Sequence, residues 1–318
     1  MTDDREPNIP AHSETGPPFP TRFPTGFQVP TQISTGPQQQ PHREAETQSL
    51  SEQHPDDART PHLAGIREAV LNAATEFDMD HATRELLRPR PEAVMLARDN
   101  REWLRRVVHY LAHTIGIDQF LDCGSGLPTS GNTHEVARNS NPSARVVYVD
   151  NDPVMLAYGE ALLRDDPNTR FVAADIRRPQ RLLSNPDVTT HLDLGKPIGL
   201  LHVGILHHVS DEDSPRAILG GYLDALASGS YVAISHFHNP DDDSDVARTA
   251  QKAEDMLLGD ELGSGKFRSA AEIARLFHEL DLVEPGIVAP ADWRPETPHT
   301  RPLDVPRQLM LAGLAHKP

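Results

Sequence analysis

From His62 onward the apolar residues of this chain follow first a helical and then a strand-like spacing. Leu63, Ile66, Val70, Leu71, Ala74 and Phe77 recur on one helical face and predict a first amphipathic helix. A second is predicted over 91–115, with Val94, Trp103, Val107, Val108, Leu111 and Ile115 along one side. Short apolar runs then alternate with helical stretches. Strands are predicted at 119–122, 145–150, 169–174, 198–204 and 230–237. Several are apolar almost without interruption, as strands covered by helices on both faces must be. Helices at 153–164 and 215–227 lie between them, the first opened by Pro153, whose missing N–H is harmless in a first turn. After the fifth strand come an acidic loop at 239–245, a helix through Leu258, a helix at 269–280, and two closing strands in LVEPGIV and QLMLAGLAH. This alternation predicts an α/β fold, a doubly wound and mostly parallel sheet of about seven strands.

Composition changes the picture at the amino end. Residues 1–60, with GPPFPTRFPTGFQVPTQISTGPQQQP, have no apolar periodicity and are rich in Pro, Thr and Gln. Such a segment buries too little surface to offset its ordering entropy, which predicts a disordered tail. The expected organisation is that tail at 1–60, a helical cap at 61–116 over the loop that follows the first strand, and the main domain at 117–318. A net charge of −17 opposes phosphate binding, which excludes nucleic acid as the expected partner. Arg98, Arg101, Arg105 and Arg106 alternate with Asp99 and Glu102 and read as a solvated helix face. No apolar run approaches the roughly 18 residues of a membrane span, and the amino end lacks the apolar core of a signal peptide. A cytoplasmic protein with no membrane partner is expected. The lone Cys123 has no intramolecular disulfide partner and reads as a small apolar filler.

Chemistry concentrates at the carboxyl ends of the predicted strands, where parallel sheets bind ligands. The first strand runs into Asp122, Cys123, Gly124, Ser125 and Gly126, a tight glycine turn headed by a carboxylate. A dinucleotide loop more often runs on to a third glycine, and here Pro128 stands in that place. A carboxylate in the turn repels a diphosphate and suits an ammonium group, as in the methionine part of S-adenosylmethionine. Asp150 ends the second strand, where one carboxylate can accept from both hydroxyls of a ribose. Asp175 follows the third, placed for an adenine amino group, with the Ile176 backbone beside it. His207 and His208 follow the fourth strand, and His236 and His238 end the fifth. Histidine is the usual proton acceptor near neutral pH, and His207 and His208 are the candidate catalytic residues by position. The spacing of His236, His238 and Asp241 to Asp243 matches no closed ligand set, and no metal is expected.

FLDCGSGLPTSGNTHEVA, RVVYVDNDPVMLAYGEALL, ADIRRP, LLHVGILHHVSD and GSYVAISH, in that order, resemble an actinobacterial S-adenosylmethionine-dependent methyltransferase family once known only as a domain of unknown function. The resemblance covers about residue 98 to the end, including EPG, WRP and the closing HKP. It implies a Rossmann-like class I methyltransferase fold and S-adenosyl-L-methionine as cofactor. Carried over by position, Asp122, Gly124, Ser125 and Gly126 would hold the amino-acid end, Asp150 and Asn151 the ribose, and Asp175 and Ile176 the adenine. The chain departs from the family at 67–77, where REAVLNAATEF replaces a segment of the form YDYLLGGKDNF, so contacts of that segment are not carried over. GILHHV lacks the Pro-Pro-aromatic sequence of exocyclic amine methylation, and the lone cysteine sits in the turn rather than in a nucleophile loop. A small-molecule acceptor is therefore the expected partner. The alternatives are a catalytically silent cofactor-binding or regulatory protein and, less in keeping with Asp122 and Pro128, an NAD-dependent oxidoreductase.

Overall fold

The computed structural model describes residues 91–125, 131–152, 155–156, 159, 163, 165–259 and 264–318. The expected tail at 1–60, the first amphipathic helix and the 67–77 segment lie outside the described residues, as does much of the helix expected at 153–164.

Seven strands form one sheet: β1 (Gln119–Cys123), β2 (Arg145–Asp150), β3 (Thr169–Ala173), β4 (Gly199–Val203), β5 (Tyr231–Phe237), β6 (Asp281–Leu282) and β7 (Met310–His316), in the order β3-β2-β1-β4-β5-β7-β6. The first five are mutually parallel, while β7 runs antiparallel to both β5 and β6. Strand order reverses between β1 and β4, which opens a crevice beyond their carboxyl ends. The helices, in chain order, are α1 (Pro91–His109), α2 (Thr133–Ser140), α3 (Pro179–Leu183), α4 (Pro186–Thr189), α5 (Pro215–Leu223), α6 (Asp245–Gly259) and α7 (Ala270–Leu276).

Alternate residues of each strand serve opposite faces, and the core divides accordingly. Phe120, Val146 and Leu201 pack with Trp103, Val107 and Val108 of α1 and with Leu111 just beyond its end. Leu121, Val147 and Leu200 pack with Ile218, Leu219 and Tyr222 of α5 and Ile273 and Leu276 of α7. With both faces covered, β1 and β4 are buried at every position, which explains their unbroken apolar runs. The helix predicted at 91–115 is present as α1 followed by a π-helical turn, Tyr110–Ile115, that ends at Gly116 with φ +87°. It is built into the sheet's own core rather than standing apart over the loop, although Arg101 on its outer side does reach that loop.

The strand expected in LVEPGIV is cut to Asp281–Leu282 plus a bridge from Val288 to Ala312. Pro285 has no N–H to give a ladder, and Gly286 turns the chain at φ +86° with its amide on the Val283 carbonyl, 2.9 Å. The short helices α3 and α4 had no apolar period to announce them. Each starts with a proline, and Asn185 caps α4 by accepting from the Asp187 amide at 2.9 Å. Among the described residues no helix is long and apolar enough to cross a membrane.

Candidate active site at the strand crossover

Asp122, Asp150 and Asp175 stand at the carboxyl ends of three neighbouring strands. Asp150 lies one residue past Val149, the β2 partner of Cys123, and Asp175 two past Ala173, the β3 partner of Asp150. Asp122 is 4% exposed and accepts a hydrogen bond from the Thr133 hydroxyl at 2.7 Å. His134, the next residue, donates its amide to the Tyr148 hydroxyl at 3.0 Å and pairs with it through Nδ1 at 2.8 Å. The first turn of α2 is thereby pinned to both β1 and β2. Between the acid and the turn, burial and then the Asp122 charge push the Cys123 thiol up, so it stays protonated and acts as packing.

Gly124 adopts φ +71°, and a Cβ there would fall 2.3 Å from Cγ1 of Ile205. The loop after β1 and the segment after β4 therefore interlock. The amides of Gly124 and Ser125 both donate to the Val149 carbonyl, at 2.7 and 3.2 Å, which ties the turn to the end of β2. Gly126, the second glycine of the motif, lies outside the described residues.

Asp150 is 8% exposed, and its Oδ1 accepts from the Asp152 amide at 3.0 Å, while Asn151 is exposed. Asp175 accepts from the Arg177 amide at 2.9 Å and from its guanidinium at 2.9 to 3.1 Å. Partial burial works against ionisation of Asp175, but these bonds and the Arg177 charge prevail and hold its carboxyl below the usual range. The Ile176 carbonyl accepts from the Tyr222 hydroxyl at 2.8 Å. A depression of about 420 Å³, lined by Asn151, Ala173, Asp175 and Arg178 among others, opens beside these loops. A second, of about 340 Å³, is lined by Arg145 and Asp193 and lies at the opposite end of β2.

The histidines differ sharply in setting. His207 is 3% exposed, stacks on Phe237 with ring centroids 3.7 Å apart, and gives its carbonyl to the Lys266 amide at 2.7 Å. His208 is half-buried, with Nδ1 3.0 Å from the Ser264 hydroxyl. His236 is fully buried between the Phe237 carbonyl at Nδ1, 2.8 Å, and the Arg268 guanidinium at Nε2, 2.7 Å. Arginine only donates, so Nε2 accepts and the proton sits on Nδ1. Burial first, opposed by the Phe237 carbonyl and reinforced by the Arg268 charge, pushes the pKa of His236 down to about 3, so it stays neutral. Burial also lowers that of His238, whose Nδ1 meets the Arg268 carbonyl at 3.2 Å. Arg268 further holds the Val209 carbonyl at 3.2 Å and the Asp211 carboxylate, stapling the segment after β4 to the end of β5. Among the described residues no three or more His, Cys, Asp or Glu side chains gather as a metal would require.

Two residues near the site, Asn132, expected as a helix cap in the 129–135 loop that could supply polar contacts, and Arg101, expected on a solvated face, meet each other instead. Asn132 occupies the N-cap position of α2 yet makes no side-chain cap bond, and its Oδ1 instead accepts from Arg101 of α1. Of the four arginines expected on a solvated face, Arg105 fits that description, paired with Glu102 at the surface. Arg106 instead binds the Trp293 and Pro290 carbonyls at 3.0 and 2.7 Å.

Comparison with known proteins agrees with this geometry. A family model described as S-adenosyl methyltransferase matches residues 49–318. The crystal structure of a candidate methyltransferase from Thermobifida fusca YX is 41% identical, with a TM-score of 0.74 over 81% of this chain and 95% of that one. A protein of the DUF574 family from Streptomyces avermitilis is 35% identical, with a TM-score of 0.73 over 82% of this chain and 99% of that one. No curated protein matches the chain. With the class I sheet in place and S-adenosylmethionine as cofactor, the chain belongs to the S-adenosyl methyltransferase family.

Proposed function

We propose that the chain transfers the methyl group of S-adenosylmethionine to a small-molecule acceptor. The observation that carries this reading is the set of three aspartates at the carboxyl ends of adjacent strands β1, β2 and β3, beside the strand crossover. Asp122, with the turn Gly124, Ser125 and Gly126, takes the amino-acid end. Asp150 and Asn151 take the ribose diol. Asp175, kept ionised by Arg177, accepts from the adenine amino group beside the Ile176 backbone. The cofactor supplies a methyl group already activated by its sulfonium. What remains for the protein is to align an acceptor atom with that methyl and to receive the acceptor's proton. Of the two candidate histidines, His208 is the more exposed and receives the proton. Its Nδ1 lies 3.0 Å from the Ser264 hydroxyl, a contact that orients the ring. His207, stacked on Phe237, backs it.

The acidity of the chain supports a small acceptor over nucleic acid, and a lone buried cysteine is in keeping with action in the cytoplasm. Family membership removes the oxidoreductase alternative, for which Asp122 and Pro128 were already unsuited. Asp150→Ala tests the cofactor assignment. Calorimetry should show S-adenosylhomocysteine binding weakened at least about thirtyfold, the loss expected when a charge-assisted pair of hydrogen bonds goes, with the melting temperature little changed. Unaltered affinity would remove Asp150 from the site. Cofactor binding without turnover is the second reading, favoured by the replaced segment at 67–77. Tight S-adenosylhomocysteine binding with no labelled methyl transferred to any component of a cell extract would select it.

A further inference from the structure

We propose that Arg101 and Asn132 together seat the carboxylate of the cofactor's amino-acid end, an inference that rests on the reading of Asp122 given above. An α-amino acid brings two opposite charges to its site. Asp122 serves the ammonium, but its own charge repels the carboxylate, so a cation and a neutral donor are needed close by. Arg101 projects from α1 and donates to Oδ1 of Asn132. Because a guanidinium has only donors, this bond fixes the amide with its oxygen toward Arg101 and its NH2 turned the other way. Asn132 is 3% exposed, and among the described residues that NH2 has no hydrogen-bond partner. A buried donor left unmatched is uncommon and unfavourable, and it marks where an acceptor belongs.

The surroundings say which acceptor. Asn132 is followed directly by Thr133, whose hydroxyl is 2.7 Å from Asp122 Oδ2, so the orphan donor, the guanidinium and the acid gather about one turn. A carboxylate, which accepts and carries negative charge, matches both the NH2 and the neighbouring cation. The backbone of Asn132 is extended, at φ −72° and ψ 167°, and its side chain caps nothing in α2, so helix formation does not account for it.

The test compares S-adenosylmethionine with its decarboxylated form, which keeps nucleoside, sulfonium and ammonium and lacks only the carboxylate, by calorimetry on the full chain. The unaltered protein should prefer the carboxylate form by about tenfold or more, as loss of a charge-assisted hydrogen bond implies. Asn132→Asp keeps the volume and the acceptor for Arg101 but replaces the NH2 by negative charge. It should weaken S-adenosylmethionine binding by about tenfold or more and leave the decarboxylated ligand within about twofold. Arg101→Gln should show the same selectivity, and Arg101→Lys should recover part of the loss. Equal losses for both ligands, or no loss in either variant, would overturn the assignment. Failure of the unaltered protein to bind either ligand would instead overturn the reading of the site on which it rests.

Discussion

His202, in the middle of β4, shows how much one side chain can carry against stability. It is fully buried, touches the Tyr222 ring edge to face at 5.0 Å, and neither ring nitrogen has a hydrogen-bond partner among the described residues. Burial pushes its pKa down to about 3, against about 6.5 in an unfolded chain. Below about pH 6.5 the unfolded state takes up a proton that the folded state refuses, so stability falls as pH drops from there toward 3. His236, also lowered to about 3, acts in the same direction. Each group contributes a slope of up to about 1.4 kcal/mol per pH unit in that window. His202→Phe removes one such group together with two unsatisfied buried nitrogens. Urea denaturation at pH 7 and pH 5 should show a smaller difference for the variant than for the parent, with no loss of stability at pH 7. An unchanged difference would mean that His202 gains a proton in the folded state.

At the scale of elements, α1 and the π-helical turn that continues it form a wall of the sheet, and substitutions in them should be felt globally. Leu111 is fully buried in the face formed with Phe120 and Val146. Leu111→Ala should cost about 2 to 5 kcal/mol, the range for deleting a core leucine, as a lower denaturation midpoint with an unchanged slope. A cost below about 1 kcal/mol, the range of surface sites, would place that turn outside the core. The strands were legible in the sequence because burial on both faces leaves long apolar runs ending in polar turns, as with RVVYVD and GLLHV. The three acids were legible for the same reason, since each interrupts or follows such a run. Helices α3 and α4 span five and four residues, too short for a helical period to register. Arg101 and Asn132 were illegible for a different reason. Their proximity spans 31 positions and exists only once α1 has packed against α2, whereas locally Arg101 sits among charges and Asn132 resembles an ordinary cap.

Taken whole, the described residues form a single sheet with three aspartates at the carboxyl ends of neighbouring strands, and the segment at 1–60 has a composition unsuited to joining that core. Removing those residues should leave the melting temperature within about 2 °C and S-adenosylhomocysteine affinity unchanged, since surface changes away from packed features move stability by no more than about 0.5 kcal/mol. A clearly lower melting temperature would show that they pack on the domain. The contact between Gly124 and Ile205 bears on any attempt to re-engineer the enzyme. The turn after β1 and the stretch leading to the histidines are cut to fit like tongue and groove. A turn grafted from another methyltransferase with a bulkier residue at that place would jam the neighbouring stretch, so the two must be transplanted as a matched pair.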